Sequence, residues 1–369
     1  MSDCFCKKKD KQIGEDRYYQ EMIKINKNFE PIQLGYFKLK CNTCDEFSNI
    51  IGLMINRVEK YVWDNWDDVD DPICEELNNT NDLCYLNCKK IKVLKFLYHT
   101  NSKSIYIIIN HAKVGGGDYL ILGSKMFNGK TNSLISEPND TIIDNIVCQL
   151  YKIRFMYYIL SNIYFKDNRD VTKKETIINS IINLKDNKLD YPNIKTKYII
   201  IYKIMCNIMD SLINTDRLEC WIPMGFIKTQ NSPNNNIGIL LFTFLRGMSL
   251  LEMQNQIEGN QYLLLGSYQY IKENNSVSTE ENIKTKIDVV LTLANIIDND
   301  IKVNWCTGGM YAKMNINSIF PFYIWGMTMN DEAHITYSVS DKLCNINKLI
   351  QKVNGTNITD EYIYKLNNN

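Results

Sequence analysis

Histidine is scarce in this chain. Only His99, His111 and His334 occur among 369 residues, so a mechanism that needs an imidazole has three positions to draw on. Surplus charge is absent too: 42 Lys+Arg balance 42 Asp+Glu. That balance speaks against a general binder of nucleic acid or of an anionic membrane, since both rely on a positive excess. No run of about 18 uncharged apolar residues occurs, the length a helix needs to cross a bilayer. The chain opens Met1-Ser2-Asp3-Cys4-Phe5-Cys6-Lys7-Lys8-Lys9 with no apolar stretch behind the charges. A secretory signal is therefore not expected, and a cytoplasmic location is.

What the sequence does contain is 45% hydrophobic and 23% charged residues, the composition of a folded protein with a sizeable core. Its length suggests two domains or one two-lobed unit, at about 100–200 residues per domain. Twelve cysteines are present. The close pairs Cys4/Cys6, Cys41/Cys44 and Cys84/Cys88 lack the recurrent spacing of a four-ligand zinc site. They read as reduced thiols acting as small hydrophobes, and no metal is expected.

Along the chain we distinguish a polar tail (1–30), a first lobe (31–165), a charged crossover (166–196) and a second lobe (197–369). The first lobe is predicted to start with a strand at 35–39. Phe47, Ile50, Ile51, Met54, Ile55 and Val58 recur at helical spacing and predict a helix over 45–60. The acidic stretch 63–71 lacks the spacing of a calcium loop and reads as a solvated turn. A hairpin follows at 93–99 and 104–109, its second strand apolar on both faces and hence interior to a sheet. Asp118 is a candidate N-cap for a short helix ending at Met126.

From Ile142 to Phe165 the apolar positions Ile142, Ile143, Ile146, Val147, Leu150 and Ile153 predict a helix with that stripe buried. A helix lying in a membrane interface is the alternative, and peripheral membrane contact is the less favoured reading. The second lobe is expected to hold a helix at 198–213 and strands at 218–226 and 237–245. Helices starting at the capping boxes Ser249–Glu252 and Ser278–Glu281 come next, the latter reaching about Ile297. Strands near 301–306, 319–326 and 333–339 and a last helix at 345–353 complete an α/β (mixed α+β) chain.

Of the three histidines, His111 is the strongest candidate for chemistry. It sits where an interior strand ends and Gly115-Gly116-Gly117 begins, so a sheet fixes its backbone while its ring is free to face a cleft. An imidazole there can take a proton from a hydroxyl or amine. A purely structural histidine fits the same position, and His99 and His334 read as surface or structural residues.

Strand, His111-x-x-x-Gly115-Gly116 and short helix resemble the His-x-x-x-Asp-Gly motif of the chloramphenicol acetyltransferase-like acyltransferases. The stretch Leu218–Phe226, the Asn234–Asn236 loop and Val303-Asn304-Trp305-Cys306-Thr307-Gly308-Gly309 are similar to segments of the wax ester synthase/diacylglycerol acyltransferase group. The order of landmarks matches over about residues 35–353. This resemblance implies two similar lobes, each a mixed sheet with flanking helices, meeting at a central tunnel. It implies acyl-CoA as donor, a small-molecule or lipid acceptor bearing a hydroxyl or amine, and no resident cofactor. His111 would be the general base, Asn304 and Thr307 would approach from the other lobe as oxyanion donors, and Gly115, Gly116 and Gly308 would serve the CoA side. The chain departs from the motif at Gly115, which stands in place of the Asp. Asp118 lies on the helix side and is not expected to substitute, and Asn110 stands where many relatives carry a second histidine. A catalytically inactive binding protein of the same fold is therefore the alternative. The oligomeric state is not legible.

Overall fold

The computed structural model describes residues 32–77, 91–111, 113–130, 135–136, 138, 141–161, 175–212, 215–227, 236–274, 288–296, 300–311, 322–340 and 344–358. The tail, the pairs Cys4/Cys6 and Cys84/Cys88, Asn234, Asn235 and the Ser278 capping box lie outside them.

The chain begins with β1 (Ile32–Leu39), α1 (Cys44–Asn65), β2 (Cys74–Glu76), β3 (Leu94–His99), β4 (Ser104–Asn110), α2 (Gly116–Met126), β5 (Ile135–Ser136) and α3 (Ile142–Ser161). It continues through β6 (Glu175–Asn183), α4 (Leu184–Asp190), α5 (Thr196–Ser211), β7 (Arg217–Ile227), β8 (Asn236–Leu245), α6 (Leu250–Gly259) and α7 (Gln261–Asn274). It closes with β9 (Val289–Ile296), β10 (Val303–Tyr311), β11 (Phe322–Met329), β12 (Glu332–Ser340), α8 (Ile346–Val353) and β13 (Thr356–Asn357). The mixed α/β expectation holds.

Two sheets organise these elements. The smaller has five strands in the order β10-β1-β4-β3-β2; the larger has eight, β13-β6-β12-β11-β9-β7-β5 with β8 on β7. The halves exchange strands: β10, late in the chain, completes the small sheet against β1, and β5, from the first half, adds to the large one beside β7. The expected crossover is also partly strand, since β6 pairs with β12 along its whole length.

Alternation explains the layers. On β4, Ile105, Ile107 and Ile109 share one core with Phe47, Met54 and Val58 of α1. Trp325, Met327 and Met329 of β11 enter that same core, so one face of the large sheet closes the first lobe. The opposite residues of β11, Phe322 and Ile324, pack into a second core around α5.

Three expectations need correction. The stretch 289–296 is a strand, not the end of a helix: Val-Val-Leu-Thr-Leu-Ala-Asn-Ile is β-branched and apolar enough to lie between β11 and β7. The acidic stretch after α1 is not a solvated turn, because Trp66, Val69 and Asp70 are buried. The Asp70 carboxylate accepts the N–H groups of Lys92, Val93 and Leu94 at 2.9–3.1 Å and so fixes the start of β3. The third concerns α3. Its Cys148 and Phe155 are buried, whereas Ile142, Ile143, Ile146, Leu150 and Ile153, the stripe expected inside, are exposed. The helix carries two apolar faces, and the more aromatic one faces the protein. Among the described residues no helix is long and apolar enough to span a membrane.

Candidate active site

β4 lies between β1 and β3 and delivers the chain to His111. The strand stops because the Asn110 carbonyl accepts from both Lys113 N–H (2.9 Å) and Val114 N–H (3.0 Å), closing a single helical turn. Val114, fully buried, anchors that turn in the first core. α2 then starts from Gly115 as N-cap, not from Asp118.

Asp118 is instead the third residue of the helix, where its carboxylate reaches back to accept Gly115 N–H at 3.1 Å. Its other oxygen accepts the Tyr61 hydroxyl at 3.2 Å. Burial pushes the Asp118 carboxyl up to about 7, against the pull of these two hydrogen bonds. Trp66 donates its indole N–H to the Lys113 carbonyl at 3.2 Å, and its ring meets Tyr61 edge-on at 5.8 Å. Thus Asp118, expected not to substitute for the missing motif acid, does brace the turn, through neutral donors rather than an ion pair. Tyr61 and Trp66 escaped the sequence reading. The only signal for Tyr61 was that the α1 stripe runs on past Val58.

His111 itself keeps partial contact with solvent. Loss of water nevertheless holds its imidazole down at about 4, a hydrogen bond to its own backbone partly opposing the shift. The exposure belongs to the residue as a whole, whereas Nδ1 of the ring is buried, so the imidazole is desolvated and neutral at physiological pH.

The other expected site residues lie elsewhere. In the small sheet Asn110 registers with Ile32, whereas Val303 registers with Leu39 and Thr307 with Tyr36. Lys38, beside Asn304's position, registers with Ser104, six residues before Asn110. At about 3.3 Å per residue along a strand and about 4.8 Å between neighbouring strands, Asn304 is on the order of 25 Å from His111, and Thr307 on the order of 20 Å. The Asn304 amide, exposed, donates to the Leu39 carbonyl at 3.5 Å. The segment does not face His111 from the opposite lobe; it is a strand of the same sheet, two places away. Gly308 belongs to that strand, while Gly115 and Gly116 stay beside His111 at the start of α2.

What approaches the junction of the sheets is Tyr119, on the first turn of α2. Burial and the proximity of Tyr323 and Cys306 raise its phenol. Burial pushes Tyr323 up to about 12 against a hydrogen bond from Thr292, and also raises the Cys306 thiol. All three remain protonated donors, and Cys306 is no thiolate nucleophile. Among the described residues no cluster of His, Cys, Asp and Glu has the makings of a metal site.

The same face of the large sheet holds the fully buried His334, Thr336 and Ser338 of β12. Met327 and Ile181 flank His334 in register, and the Glu332 carboxylate lies 3.5 Å from its Nε2. Desolvation holds His334 down at about 4. Its folded value lies below the usual 6.5, so its contribution to stability is complete above about pH 6.5 and is lost as pH falls through 4. His111 acts in the same direction. Asp118, raised, acts oppositely: its cost is relieved as pH falls below about 7. We expect His334→Leu to remove about 3 kcal/mol of the stability lost between pH 6.5 and 4, read from urea midpoints at several pH values. An unchanged pH dependence would refute this.

No protein-family model matches the sequence, and no curated protein matches it. Solved structures match in fold. A double mutant of the starter condensation domain of rhizomide synthetase, in complex with C8-CoA and Leu-SNAC, has a TM-score of 0.55 over 90% of this chain and 89% of its own, at 6% identity. The epimerization domain from the third module of tyrocidine synthetase B gives 0.52 over 94% of each chain, at 9% identity. The structure describing condensation domain-mediated chain release from the enacyloxin polyketide synthase gives 0.50 over 91% of this chain and 78% of that one, at 7% identity. The fold is therefore that of condensation and epimerization domains. It is the chloramphenicol acetyltransferase-like fold, and at these identities the likeness is one of fold alone.

Proposed function

We propose that the chain transfers an acyl group from acyl-CoA to a hydroxyl or amine acceptor, with His111 as general base. The observation that carries this reading is the state of His111: a neutral, desolvated imidazole held at the end of an interior strand by a braced turn. Neutral imidazole accepts the proton of the acceptor O–H or N–H as that atom attacks the thioester carbonyl. The tetrahedral intermediate collapses with cleavage of the C–S bond, and the proton passes from the imidazolium to the departing thiolate, giving free CoA. No covalent acyl-enzyme is needed. Asn304 and Thr307 have no part in this scheme because of their register; the protonated hydroxyls of Tyr119 and Tyr323, beside each other in the fold, would serve as donors. The C8-CoA bound by the rhizomide synthetase domain supports acyl-CoA as donor; a lipid acceptor rests on the sequence resemblance alone.

A second reading has its own observation: Gly115 stands where the resembled motif has its acid, which favours a protein of this fold that binds without turnover. One experiment separates the two. C8-CoA is titrated calorimetrically, and thiol release is followed with alcohol and amine acceptors. Binding with acceptor-dependent release supports transfer. Binding without release supports the second reading, and absence of binding overturns both.

A further inference from the structure

We infer that the outer face of α3 is an interface with a second copy of this chain, formed by two antiparallel α3 helices across a two-fold axis near Leu150. Ile143, Ile146, Leu150, Ile153 and Tyr157 are each between 56 and 74% exposed. Their spacing of three, four, three and four residues is that of an a/d seam, the pattern that interlocks with another helix and not merely an apolar surface. The helix is held so that this seam points outward. On its inner face the Tyr151 ring lies 6.0 Å from Tyr262 and the Phe155 ring 5.8 Å from Tyr270. Gln149 and Lys152 both bond Glu273 of α7.

The area suits a homodimer. With flanking Ile142 and Met156, the exposed side chains amount to roughly 800 Å², the share one partner contributes to a standard stable interface. It is more than the 300–600 Å² patch usual on a monomer. Charge selects the orientation. Arg154 is the cation flanking the seam, its guanidinium over the Tyr262 ring at 5.5 Å. Parallel pairing would set the two Arg154 side chains against each other and align the helix dipoles. Antiparallel pairing about Leu150 places the two Arg154 about 12 Å apart along the axis at 1.5 Å per residue, with dipoles opposed. Each arginine stem then covers Val147 of the other copy.

Sedimentation equilibrium of the full chain between 1 and 100 µM tests this. The wild type is expected to be dimeric at the upper end. Leu150→Arg and Ile153→Asp, at solvated positions, should be monomeric with unchanged circular dichroism and with the melting temperature of the dilute, dissociated wild type, the dissociation constant rising at least 100-fold. Flotation with phosphatidylcholine/phosphatidylglycerol vesicles accompanies the measurement. A monomeric wild type, with or without vesicle binding, overturns the inference, as does a dimer that both variants leave intact.

Discussion

Replacing His111 by alanine is expected to lower acyl transfer by 100- to 10,000-fold, the usual span for loss of a general base. Binding of C8-CoA should change little, because the imidazole acts on the acceptor proton and not on the nucleotide. The pH profile offers a sharper check. With the imidazole held at about 4, the basic form is fully populated at neutral pH. kcat/KM for an alcohol acceptor should therefore stay level from pH 8 to about 5 and fall below that, rather than fall near 6.5 as for an ordinary histidine. A variant with unchanged turnover would remove His111 from the chemistry. A wild-type profile breaking near 6.5 would show that the imidazole regains water before reaction. The basicity given up through desolvation is the counterpart of a ring already free of the solvent that an attacking acceptor would have to displace.

The bracing of the turn decides whether such a base is held closely enough. Within the family motif the acid would stand at Gly115. Here the restraint comes from three residues of different origin: Asp118 within α2, and Tyr61 and Trp66 at the end of α1. A displacement of 1 Å in a reacting group costs about 100-fold. For the proposed transfer, these three hydrogen bonds would therefore bear on rate as well as on stability.

Much of the fold is readable from local pattern. The α1 stripe, the hairpin of β3 and β4, and the Ser249–Glu252 cap, whose two reciprocal bonds are 2.8 and 3.3 Å, all depend on residues a few positions apart. What was not readable depends on partners distant in sequence. β10 pairs with β1 across some 270 residues, and that register removes Asn304 and Thr307 from the neighbourhood of His111. The stretch 289–296 shows its strand character only once β11 and β7 flank it. α3 illustrates the ambiguity most plainly. Periodicity finds its apolar stripe but cannot say which of two apolar faces meets the protein, because that choice belongs to α7. His111 was legible since strand, histidine and glycines are contiguous; Tyr61 and Trp66 were not, since their roles exist only after α1 has packed on the small sheet.

The choice made by α7 depends on one glycine, and its substitution should give the largest loss of stability among the glycines of the helices. At Gly266 an added Cβ would lie 2.6 Å from the Tyr151 carbonyl carbon, closer still to its oxygen, and 3.0 Å from Phe155 Cβ. These are backbone and inner side-chain atoms of α3, which no rotamer change can withdraw. Gly266→Ala therefore has to push the two helices apart and loosen the cluster formed by Phe155, Ile239, Leu241 and Leu263. Overpacking of this kind costs about 3 kcal/mol or more, against which the better helix propensity of alanine returns only about 1 kcal/mol. Gly52, in the interior of α1, has no atom within 4 Å of a built Cβ. Gly52→Ala should accordingly stabilise by about 0.5–1 kcal/mol. The same chemical change at two helical sites is thus expected to shift the urea midpoint in opposite directions. If both variants move it the same way, the close approach of α3 and α7 is not what positions the outer face of α3.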